Sequence, residues 1–150
     1  MNSAPTVHAS AVLIGREAAL IRGPSGAGKS RLTWQLVQAA TSGLLPFARL
    51  VADDRAYLEA RAGRLLVRPA AALEGLIEIR GIGIRRVPYE PVAAVGLVID
   101  LGAPDTARLP HSKAREIDIS GIRLPRLAFG ASIDPFEAVL TFLATTAAHD

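Results

Sequence analysis

The ten residues from Ile21 to Ser30, IRGPSGAGKS, limit what this chain can become more than any other stretch. They put Gly23, Gly28, Lys29 and Ser30 in the four fixed slots of the pattern G-x-x-x-x-G-K-[ST]. Such a loop works only when a strand delivers it and a helix leaves it. Ala18 to Ile21 is a short apolar run with strand character. Lys29 to Ala40 has helical spacing, with Leu32, Leu36 and Ala40 on one face. The glycines allow a tight turn and remove side chains that would block an anion, so backbone N–H groups can point inward as a nest. The helix N-terminus adds a partial positive charge at the same place. A chance match in a chain of ordinary composition is on the order of 1 in 200. Only two of the seventeen basic residues are lysine, Lys29 and Lys113, and one of them occupies the slot where the pattern needs it. The residues Gly23, Pro24, Ser25, Gly26, Ala27, Gly28, Lys29 and Ser30 are therefore expected to bind nucleotide phosphates. Lys29 would reach the β- and γ-phosphates and Ser30 a magnesium ion.

The 150 residues suggest one domain, residues 1–150, and half of them are hydrophobic, enough for a substantial core. The net charge of +3 is carried almost wholly by scattered arginines, a poor footprint for nucleic acid. The absence of cysteine excludes disulfides, thiolate chemistry and cysteine-ligated zinc, and fits a cytoplasmic location. The N-terminus lacks a basic-then-apolar leader pattern, and no apolar run approaches membrane-spanning length, so no membrane partner is expected.

Along the chain, Ala11–Ile14 and Ala18–Arg22 flank Gly15-Arg16-Glu17 as a hairpin. The first helix runs out near Thr41-Ser42-Gly43, and Leu44–Pro46 is a loop. Arg49–Ala52 is a strand ending in Asp53-Asp54. Tyr57–Ala60 and Leu65–Arg68 form a hairpin turned at Ala62-Gly63. Leu76–Arg80 is a strand followed by the loop Gly81-Ile82-Gly83. Val95–Leu101 reads as a buried strand, Gly102–Pro110 as a loop, and Ile117–Leu124 as a strand interrupted at Gly121. Phe136–Ala147 closes the chain as an amphipathic helix, capped by Asp134 with Pro135 at its first position. The class is α/β, rich in β-hairpins.

A phosphate loop needs a carboxylate at the end of a neighbouring strand, either to hold metal or to act as a base. Two places qualify. Asp100 follows VGLVI and is evenly balanced between a functional acid and a turn residue. Asp53-Asp54 follows ARLVA; adjacent strand residues point to opposite faces, so one carboxylate could face magnesium and the other the phosphoryl acceptor.

The motifs GPSGAGKS, LVADD and IEIRGIGI, in that order, resemble the catalytic domain of HPr kinase/phosphorylase, with the match running from about His8 to Leu101. The resemblance implies a nucleotide domain like that of phosphoenolpyruvate carboxykinase, with ATP and Mg²⁺ as cofactors and the phosphocarrier protein HPr as partner. It implies a cytoplasmic enzyme, a homo-oligomer that in the family is a hexamer, and phosphorylation of a seryl hydroxyl. By position it makes Asp54 the catalytic aspartate, His8 the active-site histidine just ahead of the first strand, and Glu78 a second magnesium contact, with Asp53 on the metal side. Arg80 and Gly81–Ile84 would lie beside the reacting centre, and Arg108 is the nearest match to the family's active-site arginine.

The chain departs from the family in several places. It points to the catalytic part alone, a short form of the α-proteobacterial type, without the separate N-terminal domain. The segment between IEIRGIGI and Val95 is shortened. The family's basic stretch linked to dephosphorylation has only Arg123 and Arg126, in GIRLPRL, in its place. Pro24 and Arg31 stand where acids are common. His111, His149 and Trp34 are read as structural, and Arg85-Arg86 as a solvated face or a contact to acidic HPr. Rival readings are a small-molecule P-loop kinase and a nucleotide sensor that binds HPr without turnover.

Overall fold

A computed structural model describes residues 5–103 and 115–145. The order of elements is β1 (Val7–Ile14), β2 (Glu17–Arg22), α1 (Lys29–Thr41), β3 (Ala48–Ala52), β4 (Arg55–Arg61), β5 (Arg64–Pro69), a 3₁₀ turn at Ala71–Leu73, β6 (Leu76–Ile79), β7 (Gly83–Arg86), β8 (Ala93–Leu101), β9 (Glu116–Ile119), β10 (Ile122–Phe129) and α2 (Pro135–Ala144). The expected α/β class is what the chain forms.

β1 and β2 make the first hairpin, and β2 continues beside β8 in parallel, as β8 does beside β10. β3 lies antiparallel to β1 and so runs in the same sense as β2. The C-terminal ends of β2, β3, β8 and β10 therefore share one edge, the edge where α/β sheets bind ligands. β1 splits its loyalty. Ala11–Ile14 pair with β3, whereas Val7 and His8 pair with β4. The β4–β5 hairpin thereby leaves the sheet plane, crosses one face and rejoins at Ala93 and Ala94 of β8.

Strand alternation sorts the core into two layers. Leu20 and Val98 join Val51, Leu65 and Val67 under the β4–β5 hairpin. Ile21 and Ile99 face the other way, against Leu32 and Leu36 of α1 and Val139 of α2. Each such fully buried side chain contributes roughly 1.5–3 kcal/mol relative to exposure. Ala39 rather than Ala40 completes the fully buried face of α1. Asp134 caps α2 as expected, accepting from the Phe136 N–H at 3.1 Å.

Three readings of the sequence need correction. β1 begins at Val7, so His8 lies within the first strand and not ahead of it. The segment after Ile79 is not simply a loop: β7 pairs back on β6 as a two-stranded hairpin of its own. Its residues are all exposed, so no buried face marks it as a strand in the sequence. The stretch around Gly121 is a hairpin rather than one broken strand. Ser120 and Gly121 have φ of 54° and 85°, the paired positive values of a type I′ turn, and β10 then runs on to Phe129 beside β8. α2 stops at Ala144, where Thr145 turns extended at φ of −131°, short of the expected Ala147. Arg108, His111, Lys113 and His149 lie outside the described residues.

Candidate active site

β2 delivers the chain to the phosphate loop at Gly23, with φ of 157°. A Cβ there would stand 2.8 Å from the Leu101 carbonyl oxygen, so the end of β8 leaves room for glycine alone. α1 starts at Lys29 behind a left-handed Gly28, with no side-chain cap and no acidic residue in its first turn. Nothing on the helix itself cancels the positive end of its dipole. The Lys29 ammonium is buried in the loop, donating to the carbonyl oxygens of Gly23 at 2.9 Å and Pro24 at 3.3 Å. Backbone amides, helix terminus and ammonium thus concentrate positive charge within one turn of chain, as an anion site requires.

β3 ends beside this loop and carries the aspartate pair. Asp53 is buried. Its Oδ1 accepts from the Ser30 hydroxyl at 2.7 Å and the Ser10 hydroxyl at 2.8 Å, and its Oδ2 accepts from the Glu78 backbone N–H at 3.1 Å. All three donors are neutral, so they orient the carboxylate without bringing a positive charge to it. Asp54 turns the other way. The expectation that the two carboxylates diverge holds, but the pleat does not do it. Asp54 adopts φ of 70°, a left-handed conformation that a non-glycine residue keeps only when its surroundings hold it there. They do so on each side. The Asp54 N–H donates to Ser10 Oγ at 3.1 Å, its carbonyl accepts from the Ala9 N–H at 3.2 Å, and its carboxylate lies 3.4 Å from His8 Nδ1. His8 and Asp54 remain about half exposed, open to an incoming molecule.

Asp100 ends β8 in a different setting. Arg22 grips it with two bonds, Nε to Oδ1 at 2.8 Å and Nη2 to Oδ2 at 2.9 Å, and Arg126 Nε donates to Oδ2 at 2.6 Å. Burial by itself would raise this carboxyl's pKa. The two guanidinium hydrogen bonds and their charges outweigh it, and the net result lies below the ordinary 3.8. The triad ties β2, β8 and β10 together beside the loop. The balance at Asp100 tips toward a structural role, because both of its oxygens are bonded to guanidinium cations.

Glu78 is the exposed residue of β6, beside the buried Ile77 and opposite Ile84 of β7, and its backbone joins it to Asp53. Arg80, Arg85 and Arg86 are exposed on the same hairpin, and Trp34 is half-buried on α1. Of the arginines set against the missing basic stretch, Arg126 is held at Asp100 and Arg123 pairs with Glu116 at 3.1 Å. Among the described residues no three acidic or imidazole side chains form a ready-made metal cage. The donor set suits magnesium all the same. Ser30 spends its proton on Asp53 and keeps lone pairs for a cation, and magnesium usually takes only one or two carboxylates beside substrate phosphates.

Two contributors escaped the sequence reading, Ser10 and Arg22. Ser10 was within reach. In VHASAVLI the alternation places His8, Ser10, Val12 and Ile14 on one face, so Ser10, two residues from the candidate His8, shares its side of the sheet. Arg22 gave no signal, since its partner lies 78 residues away.

The family described as HPr Serine kinase C-terminal domain matches residues 1–89. The chain is 35% identical over 119 residues to HPr kinase/phosphorylase of Streptococcus pneumoniae strain Hungary19A-6, and equally to that of strain D39. These alignments cover 72% of this chain and 36% of the relatives, so the chain spans little more than a third of their length. Among solved structures, the Hpr(Ser) kinase/phosphatase from Coxiella burnetii aligns with a TM-score of 0.74 and 27% identity, covering 94% of this chain and 95% of that one.

Proposed function

The chain belongs to the HPr serine kinase C-terminal domain family, and from that premise we propose that it transfers the γ-phosphoryl group of ATP to a seryl hydroxyl of the phosphocarrier protein HPr. The observation that carries the reading is the split aspartate pair beside the phosphate loop: Asp53 bound to Ser30, Asp54 open beside His8. Gly23–Ser30 would hold the phosphates, with Lys29 as the charged contact. Magnesium, when bound, would screen the phosphate charge; Ser30, Asp53 and Glu78 would hold it. Asp54 accepts the seryl proton as the hydroxyl oxygen attacks, and His8 steadies the carboxylate from its other side. The chemistry is mainly positioning and charge stabilisation. Arg108 keeps its proposed place as the active-site arginine on resemblance alone.

Residues 1–150 act in this reading as one catalytic domain, with a nucleotide fold of the phosphoenolpyruvate-carboxykinase type. It works in the cytoplasm, where ATP and HPr meet, as a homo-oligomer. Phosphorolysis of phosphoserine, a separate reaction, uses the same groups. Inorganic phosphate attacks the phosphorus of phosphoserine, the P–O bond to serine breaks, Asp54 returns a proton to the serine oxygen, and pyrophosphate leaves. With Arg126 engaged at Asp100, this direction runs slower than the kinase reaction. Purified chain, labelled ATP and HPr test the proposal: label should reach HPr with wild type and not with folded Lys29→Ala. Transfer by that variant at the wild-type rate sinks it. Described helices include none long and apolar enough to cross a membrane.

A further inference from the structure

Ser10 is fully buried, with 0% of its surface exposed, yet among the described residues it is the one side chain hydrogen-bonded to both members of the aspartate pair. Its hydroxyl donates to Asp53 Oδ1 at 2.8 Å and accepts from the Asp54 N–H at 3.1 Å. We propose that Ser10 is a positioning residue that sets the two aspartates relative to each other, fixing Asp53 for the cation and holding Asp54 in its left-handed conformation for the acceptor. The inference rests on the kinase reading for its meaning but not for its test.

Geometry and location support the role. Ser10 lies where β1 leaves β3 and turns to pair with β4, the point at which the chain wraps the aspartates. A hydroxyl is the only common small side chain that can donate and accept at once, and both capacities are used here. The left-handed turn at Asp54 is costly by itself, of order 1–3 kcal/mol. The Ala9–Asp54 backbone bond and the Ser10 bond hold that residue's peptide groups in place. Asp53, for its part, would keep Ser30 and the Glu78 amide without Ser10, so its loss should loosen the carboxylate rather than expel it.

The test uses Ser10→Ala in the full chain, with Ser10→Thr as the variant that keeps the hydroxyl. Two readouts need no phosphoryl transfer: amide hydrogen exchange at Asp54, and the Mg²⁺ dependence of binding a fluorescent ATP analogue. Ser10→Ala should speed exchange at Asp54 and raise the half-maximal Mg²⁺ roughly 10-fold, the low end for loss of a residue that orients a metal-side group. Affinity for the analogue without magnesium should stay within about two-fold, since the phosphate loop is untouched. Ser10→Thr should restore both readouts. Should Ser10→Ala fail to fold, Ser10→Cys, nearly isosteric with a weaker donor, carries the same expectation in reduced size. Wild-type exchange and wild-type Mg²⁺ dependence in the hydroxyl-deficient variant overturn the proposal. Faster exchange with unchanged Mg²⁺ dependence also overturns it, because Ser10 would then serve the fold alone. A wild-type chain that never phosphorylates HPr defeats the kinase reading and leaves these measurements intact.

Discussion

Two strand ends flank the phosphate loop, and each presents aspartate to it. At the end of β3, Asp53 is met by two hydroxyls and an amide, and Asp54 by an imidazole. At the end of β8, Asp100 is met by two guanidiniums. The first neighbourhood brings no guanidinium to its carboxylates and leaves Asp54 accessible. The second sets two guanidiniums against one carboxylate, a net positive charge that would repel a further cation. Chemical type and place in the sheet are alike; only the partners differ. A strand-terminal aspartate beside such a loop is therefore not an acid for catalysis until its neighbours are known.

The sharpest way to break this comparison is to neutralise each carboxylate. Asp54→Asn should cut phosphoryl transfer to HPr by roughly 10²–10⁴-fold, the usual worth of a positioned base, with the fold intact by circular dichroism. Full activity in that variant would move the base elsewhere. Asp100→Asn should do the opposite, costing stability more than rate. Removing one partner of a buried ion pair costs about 3–5 kcal/mol, and the one-third exposure of Arg22 lowers this to roughly 2–4. Calorimetry should show a Tm lower by about 4–16 °C, at 2–4 °C per kcal/mol for this size. A dead but fully stable Asp100→Asn protein would reverse the assignment of the two sites.

A smaller effect is expected at Glu78. Glu78→Gln should raise the Mg²⁺ needed for half-maximal transfer by roughly 10-fold while leaving Tm within error, because the backbone bond to Asp53 remains. An unchanged titration would return Glu78 to the exposed face of a hairpin strand. The smallest effect is in acid. Asp100 has a folded pKa below 3.8, so its contribution to stability is complete above the unfolded value and fades as pH falls through the folded one. The Tm gap between wild type and Asp100→Asn should stay constant from pH 7 to about 5 and narrow below about 4. A gap that widens in acid would mean that Asp100 is protonated in the folded state.

The local rules carried the reading far. The hairpin at Gly15-Arg16, the turn at Ala62-Gly63, the helix behind the loop and the cap at Asp134 were each legible, because their signals lie within a few residues. β7 was not legible, since a strand with no buried face has no alternation to display. The Ser120-Gly121 hairpin was read as an interruption because one glycine marks both a break and a turn, and only pairing tells them apart. At the site, Asp53 and Asp54 were found by their place after a strand. Their distinct settings were not, since Ser10, Ser30 and Glu78 approach from three separate elements.

The sequence by itself determined the phosphate loop. Its glycines, lysine and serine are contiguous, so their geometry follows from short-range backbone freedom and a helix start. It also determined that acids stand at the ends of β3 and β8. Only the tertiary structure decided which of them stays free. Arg22 and Arg126 reach Asp100 across 78 and 26 residues, and Ser10 reaches Asp53 across 43. Electrostatic environment depends on distance in space, and the chain brings those partners within 3 Å only by pairing β1 with β3, and β2 and β10 with β8.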